Sequence, residues 1–189
     1  MNFKDHSQYK GLHAFLSPSS PYWTNYDDEK LATRYSRALA AERGVRLHAY
    51  AMESISLGQK LPKSQKTLNM YINDAIGYRM TPEQVLYFSD NCFGTADAIA
   101  YNEKTRVLRI HDLKTGVTQG SMRQLEVYAA LFCLEYAVNH EDIEIELRIY
   151  QNDEIIVHEP TGEDIQIIID RIVSGDKIIN KTRELEVGL

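Results

Sequence analysis

The sequence contains little cysteine and no long hydrophobic run. Cys92 and Cys133 are the only two cysteines in 189 residues, which excludes a disulfide framework, a four-cysteine zinc site and a self-contained iron–sulfur cluster. No apolar run approaches the roughly 20 residues that a membrane-spanning helix needs. The polar N-terminus, MNFKDHSQYKG, lacks the apolar segment of a secretory leader. These absences predict a soluble, cytoplasmic protein with two reduced thiols and no membrane partner.

Positive charge is also in short supply. Lysine and arginine together number 21, against 27 aspartate and glutamate residues, which gives a net charge of −6. This balance argues against a protein that binds nucleic acid through its overall charge. It does not exclude an enzyme that binds a few phosphates locally. Most of the cations are expected to lie on solvated helix and loop faces, and the alternative is that a subset forms a track for phosphates. They are denser early in the chain, at Arg34, Arg37, Arg43, Arg46, Lys60, Lys63 and Lys66.

The length and a hydrophobic content of 43% predict a single domain over 1–189 with a sizeable core. Its expected regions are a loop-rich segment (1–27), a helical region (28–80), a sheet region with one helix (85–158) and a C-terminal helix (163–180). The periodicities predict helices over 28–57, 64–77, 121–139 and 163–174, and strands over 85–89, 94–101, 107–114, 144–151 and 154–158. This order predicts an α/β (α+β) fold, with a central mixed sheet flanked by helices.

Two glycines fall at informative positions of the first predicted helix. Gly58 directly follows it and is typical of a helix C-cap. Gly44 lies inside it, where glycine costs about 1 kcal/mol relative to alanine. We therefore expect a kink or a close backbone approach at Gly44.

The stretch GTADAIAYNEKTRVLRIHDLKTG, residues 94–116, reads as a hairpin that carries charge inside its strands. A four-residue turn over 103–106 would pair Asn102 with Val107, and the same register sets Asp97 opposite Asp112. Because strand side chains alternate faces, Asp112 shares a face with Lys114.

By the same alternation, Leu113 and His111 point to the face opposite Asp112, so His111 is predicted to be structural. On the preceding strand, strict alternation places Thr95 on the face of Asp97, together with Ile99 and Tyr101.

Two carboxylates at cross-strand distance repel each other, and burial would force one of them to be neutral. A divalent cation removes this conflict, and Mg²⁺ or Mn²⁺ prefers oxygen ligands. Lys114 would then lie near a metal-bound water or the scissile phosphate, an arrangement that fits metal-assisted phosphodiester hydrolysis. The alternative is an edge hairpin whose solvated Asp–Lys pair contributes little to stability.

Three short motifs of the chain resemble those of a known superfamily. GTAD (94–97), DLKTG (112–116) and QLEVY (124–128) resemble the G-x-x-D, D/E-x-K and Q-x-x-x-Y motifs of the PD-(D/E)xK nucleases, in the RecB-type and λ-exonuclease-like branch. GVRLH (44–48) is similar to the upstream histidine motif of that branch. LSPSSPYWTNYDDEKL and LGQKLPKSQKTLN are similar to phage-encoded members, so the resemblance covers about 16–150.

The resemblance implies a restriction-endonuclease-like core and a role for each motif residue. Mg²⁺ or Mn²⁺ would be bound by His48, Asp97, Asp112 and the Leu113 carbonyl. Lys114 would position or activate the attacking water, while Gln124 and Tyr128 would line the site and hold the substrate or Lys114. Alanine at position 96 replaces the proline of the superfamily's name, and the four cysteines of some relatives are missing, so no iron–sulfur cluster is expected.

The functional expectation is a metal-dependent deoxyribonuclease, an exonuclease of linear DNA in phage recombination or DNA processing, in the cytoplasm of the host cell. DNA is the expected partner, and a single-strand annealing protein and further copies of the chain are candidate partners. A non-catalytic DNA- or protein-binding module on the same fold is one alternative. An endonuclease or nickase with the same chemistry is the other.

The residues of the predicted helix over 121–139 also have local explanations. Gln124 and Tyr128 lie four apart and share a helical face. Ser121-Met-Arg-Gln124 fits a capping box, in which the glutamine side chain bonds back to the Ser121 backbone, so capping and catalysis are both open. Tyr128 could be a core residue with its hydroxyl satisfied, and His48 a packed histidine.

Overall fold

The first helix, α1, spans Asp28–Ser56 in a computed structural model that describes residues 3–187. The chain forms two compact units that divide between Arg43 and Gly44. In the first unit, two short 3₁₀ helices, Ser7–Tyr9 and Pro21–Asn25, precede α1. Asp27 is the N-cap of α1, since its carboxylate accepts a 2.7 Å hydrogen bond from the Lys30 N–H.

Gly58 ends α1 as predicted. It adopts a left-handed φ of +64°, and its N–H donates to the Ile55 carbonyl while the Gln59 N–H donates to the Ser54 carbonyl. These two bonds form a Schellman motif, which satisfies the last carbonyls of the helix and requires a residue that tolerates positive φ. Helix α2 follows at Thr67–Gly77.

A five-stranded sheet dominates the second unit, with strands in the order β1-β2-β3-β4-β5. Their bounds are Thr81–Ser89, Cys92–Asn102, Val107–Leu113, Glu144–Gln151 and Glu154–His158. Only β3 and β4 pair in parallel, and helix α3, Met122–Tyr136, connects them. The last two strands have the predicted bounds, and the mixed sheet with flanking helices confirms the predicted fold class.

Helices cover both faces of this sheet. On one face, Ala51 and Ile55 of α1 and Tyr71 of α2 pack against Leu113 and Tyr150. On the other face, α3 and the last helix, α4 (Gly162–Val187), cover the buried aliphatic side chains of β2, β3 and β4. No helix among the described residues 3–187 is both long enough and apolar enough to cross a bilayer.

Helix α4 extends to Val187, past the end of the predicted C-terminal region at 180 and past the end that periodicity predicts, Ser174. Beyond that residue, Asp176 accepts hydrogen bonds from the Ser89 hydroxyl (2.5 Å) and the Asn91 amide (2.8 Å). Asn180 accepts another from Asn91 at 2.8 Å. These contacts hold the polar second half of α4 against the β1–β2 turn. Hydrophobic periodicity does not predict this part of the helix, because the contacts are polar.

The β2–β3 register agrees with the prediction. Asn102 pairs with Val107 across the turn, and the ladder continues to Ala98 and His111. One further step places Asp97 opposite Asp112. The turn therefore sets the relative position of the two acids.

Strict alternation of faces, however, fails at Asp97. Ala96 and Ile99 both pack on the α3 side of the sheet, whereas Ala98 packs on the α2 side and Thr95 is exposed. The prediction that Asp97 shares a face with Ile99 and Tyr101 is therefore wrong, because Asp97 contacts His48 of α1 whereas both of those side chains pack on the α3 side. The partner strand explains the difference, because Glu83 has a left-handed φ of +50° between the pairs Pro82–Ala98 and Gln84–Ala96.

Candidate functional site

The predicted site residues form one chain of contacts in the second unit. His48 comes from α1, Asp97 from β2, Asp112 and Leu113 from the end of β3, and Lys114 from the first position after that strand. The contacts continue through Lys114 to the first two turns of α3, where Gln124 and Tyr128 lie. Residues that are 80 positions apart in the sequence thus meet at one end of the β2–β3 pair.

Asp112 is the buried member of the acid pair. It is only 3% exposed, and its Oδ1 accepts a 2.9 Å hydrogen bond from the Lys114 ammonium group. Its other oxygen, Oδ2, is buried and has no hydrogen-bond partner among the described residues. A buried carboxylate oxygen without a donor is unfavourable, and this one therefore calls for a cationic or donating partner.

Asp97 is more accessible and is already bound on one side. Its Oδ2 accepts a 2.8 Å hydrogen bond from the Leu113 N–H and lies 3.5 Å from His48 Nδ1. The Asp97 side chain is 17% exposed and that of His48 is 31% exposed. The imidazole and this carboxylate therefore lie where solvent and a ligand can reach them.

The electrostatics of the pair point to a deficit of positive charge. Burial raises the pKa of Asp97 despite the Leu113 N–H and His48, which favour its charged form. Burial, followed by the charge of Asp97, raises the pKa of Asp112 despite Lys114. One ammonium group and one imidazole thus leave the two carboxyl groups under-neutralised.

Lys114 joins the acid pair to helix α3. Besides Asp112, its ammonium group lies 3.3 Å from Gln124 Oε1, and Gln124 Nε2 donates to the Tyr128 hydroxyl at 3.3 Å. Ser121 makes no side-chain capping bond at the start of α3, so the capping-box alternative for Gln124 is wrong. The glutamine side chain instead faces Lys114, because positions four apart on α3 share the face that covers the site.

Gln151 holds the loop between the lysine and glutamine motifs. Its side-chain amide donates at 2.7 Å to the carbonyls of both Gly116 and Thr118, and its oxygen accepts from the Gly120 N–H at 3.1 Å. The Gln151 side chain is buried. A single amide therefore fixes the main chain that leads from Lys114 to α3.

Three glycines leave space for close contacts around the site. A Cβ at Gly44 would lie 2.8 Å from Thr115 Oγ1, which confirms the close backbone approach predicted for Gly44. A Cβ at Gly120 would lie 3.0 Å from Cγ of Lys114, so glycine there lets the loop pass the lysine stem. At Gly94, a Cβ would meet Cε1 of the Tyr128 ring at 3.0 Å.

We expect Gly94→Ala to disturb the site through Tyr128. The added methyl group pushes the ring, and with it the hydroxyl that accepts from Gln124, so the free energy of unfolding should fall by about 1–3 kcal/mol, as overpacking does. Urea unfolding measures this change. Gly116→Ala is the matched control, since a Cβ there meets nothing within 4 Å. Equal stability of the two variants would contradict the prediction.

Two residues near the site carry no sequence signal. Glu83 precedes the predicted strand over 85–89, yet its carboxylate, His48 and Asp97 offer ligand atoms that all lie within 4.8 Å of one another. Tyr71, on α2, is 2% exposed. Burial raises the pKa of its hydroxyl, and the nearby charges of Asp97 and Glu83 raise that pKa further. Only the three-dimensional arrangement brings these residues to the site.

His111 points to the face opposite Asp112, as predicted, and packs against Tyr150. Its Nδ1 is 3.2 Å from the Tyr150 hydroxyl, which itself donates to Asp74 at 2.7 Å. Because a hydroxyl has one proton, His111 Nδ1 is the donor in its contact with Tyr150. Burial, followed by the charges of Arg148 and Arg109, lowers the pKa of His111 to about 3, so this histidine is a neutral core residue.

Comparisons with known proteins add little to this geometry. No protein-family model matches the chain, and no curated protein matches it. The chain is similar to a solved structure described as "Crystal structure of SSO0001", with a TM-score of 0.36 and 13% sequence identity. The similarity covers 81% of this chain and 68% of that chain.

Proposed function

We propose that this protein is a divalent-metal-dependent DNA nuclease that degrades linear DNA from an end. The main support is one observation: a carboxylate oxygen, Asp112 Oδ2, is buried beside a second carboxylate and has no hydrogen-bond donor in the part of the chain that the structure describes. A fold that kept this pair for structure alone would gain from replacing it. The motif resemblance supports DNA as substrate, phage recombination or DNA processing as the context and the host cytoplasm as the location.

The residues present fit a hard divalent cation. Carboxylate oxygens of Asp97 and Asp112 are the ligands that Mg²⁺ and Mn²⁺ prefer, and the His48 imidazole favours Mn²⁺. The Leu113 carbonyl, next to the amide that binds Asp97, is the fourth proposed ligand. A bound ion of this kind would neutralise phosphate charge and lower the pKa of water at the site.

Lys114 is the proposed catalytic residue. Two of the three donors of its ammonium group point to Asp112 and Gln124. The third donor can therefore bind the attacking water or a non-bridging phosphate oxygen. Held from two sides, the ammonium group does not need to reorganise when negative charge develops on the phosphate.

Gln124 and Tyr128 position that lysine. Gln124 accepts from Lys114 through its oxygen and donates to Tyr128 through its nitrogen. Because Gln124 is exposed and Tyr128 half-buried, both side chains also have a surface that a nucleotide can contact. Their proposed role is therefore to hold the lysine and one part of the substrate together.

The deciding experiment is a digestion time course with duplexes labelled separately at each end, next to a closed circular duplex, with Mn²⁺ and then with EDTA. We expect metal-dependent shortening of the linear duplexes and an intact circle. Nicking or opening of the circle would identify an endonuclease or nickase. Retarded but full-length DNA would identify a binding module, and no effect on DNA in any form would overturn the proposal.

We also propose two protein partners for this activity. A single-strand annealing protein would use the single strands that such an exonuclease leaves, and a second copy of the chain could share the substrate. Co-elution of the purified chain with either partner measures these associations directly.

A further inference from the structure

Glu83 lies at the acid pair although nothing in the sequence motifs includes it. The β1–β2 register puts it between the pairs Pro82–Ala98 and Gln84–Ala96, directly opposite Asp97. Its carboxylate, an Asp97 oxygen and a His48 nitrogen all lie within 4.8 Å of one another. One cation can therefore contact an atom of each of these three side chains.

The position of Glu83 is unfavourable unless a cation is bound. Its φ of +50° is left-handed, a conformation that costs a non-glycine residue roughly 1–2 kcal/mol. Like charges directly opposite each other in a sheet are also destabilising. Among the described residues, Glu83 has no ion pair with a lysine or arginine that would offset these costs.

A second, independent feature of the site also points to a cation. Asp112 lies outside that group of three ligand atoms, but it is 3% exposed, lies opposite Asp97 on the other neighbouring strand, and its Oδ2 has no hydrogen-bond partner within residues 3–187. Asp97 is thus flanked by an acid on each side, Glu83 on β1 and Asp112 on β3. Lys114 forms its ion pair with the acid on β3, and no lysine or arginine in the described part of the chain pairs with the acid on β1.

We infer that Glu83 is an additional protein ligand of a divalent cation, which it binds together with His48 and Asp97. The inference rests on the metal site of the proposed function and adds a residue from β1 to it. An imidazole nitrogen with carboxylate oxygens suits Mn²⁺ better than Mg²⁺. Glu83 thereby contributes to the affinity of the site and to its preference between the two ions.

The test is calorimetric titration of Mn²⁺ into the metal-free protein and its Glu83→Gln variant, with no DNA present. Glu83→Gln keeps the size of the side chain and the backbone strain but removes the charge. We expect Mn²⁺ affinity to fall by at least about 10–100-fold, which is the loss that follows replacement of groups hydrogen-bonded to metal ligands. Glu103→Gln, in the exposed β2–β3 turn, removes the same charge away from the site and should leave the affinity within about twofold.

The outcomes separate this inference from the proposed function. Unchanged Mn²⁺ affinity in Glu83→Gln, with a loss in Asp97→Asn, overturns the role of Glu83 and leaves the metal site intact. An equal loss in Glu103→Gln overturns it as well, since net charge would then explain the effect. If the unsubstituted protein takes up no Mn²⁺, both proposals fail. Circular dichroism on each variant confirms that the fold is retained.

Glu83→Gly supplies a second variant that separates strain from binding. Glycine tolerates the left-handed backbone, so the metal-free protein should unfold at a higher temperature than the unsubstituted chain. Mn²⁺ should raise that temperature less than it does in the unsubstituted chain. Full stabilisation of Glu83→Gly by Mn²⁺ would overturn the inference.

Discussion

Replacing Lys114 with alanine is expected to slow metal-dependent DNA cleavage by about 10²–10⁴-fold, the usual contribution of a positioned proton-transfer group. The ammonium group contacts both Asp112 and Gln124, and alanine removes the donor that we propose to bind the attacking water. Mn²⁺ uptake should persist, because the proposed ligands are unchanged. End-labelled duplex digestion measures the first effect and calorimetry the second.

Lys104→Ala is a suitable control for this variant. Lys104 is an exposed lysine in the β2–β3 turn, on the same hairpin as Lys114 but at its other end. Its replacement should leave cleavage unchanged. Cleavage by Lys114→Ala at the rate of the unsubstituted protein would overturn the catalytic assignment. Lys114→Arg should recover little, because the planar guanidinium group does not fit the position of a compact ammonium group.

Asp112→Asn is expected to abolish cleavage and, in the metal-free protein, to raise stability. Folding raises the pKa of Asp112 through burial and the neighbouring Asp97. For an acid with a raised pKa, stability is greatest below the unfolded value and is lost as the pH rises from there through the folded pKa. A neutral asparagine does not carry this penalty of a buried charge, so it should raise the free energy of unfolding by about 1 kcal/mol, or Tm by roughly 2–4 °C.

Thermal unfolding with and without Mn²⁺ checks both parts of this prediction. The unsubstituted protein should gain stability on adding Mn²⁺, because an ion that binds only the folded state stabilises it. Asp112→Asn should start from a higher Tm and gain less. Glu103→Gln serves again as the charge control and should respond to Mn²⁺ like the unsubstituted chain. A lower Tm for metal-free Asp112→Asn would show that the acid pair is structural.

The sequence predicts those parts of the site that depend on local rules. The register of β2 and β3 follows from the length of the turn between Asn102 and Val107. The opposed positions of Asp97 and Asp112 follow from that register. Lys114 shares the side of Asp112 because strand geometry leaves no other choice for a residue two positions away.

Other parts depend on contacts that no local rule contains. Gln124 fits a capping box and a catalytic role equally well in the sequence, and only the structure shows that its side chain contacts Lys114 and Tyr128 instead of capping α3. Glu83 joins the site because β1 begins at Thr81, four residues before the predicted strand, and has a left-handed residue opposite Asp97. The second half of α4 is held by polar contacts with Asn91 rather than by an apolar stripe.

Because Gln151 binds the loop after Lys114 entirely through main-chain groups, the identities of the intervening side chains are not constrained by it. Val117, for instance, is 96% exposed. Substitutions at residues 117–119 should therefore leave Lys114 and α3 in their positions. Sequence variation in this short exposed stretch is thereby separated from the geometry of Lys114 and α3.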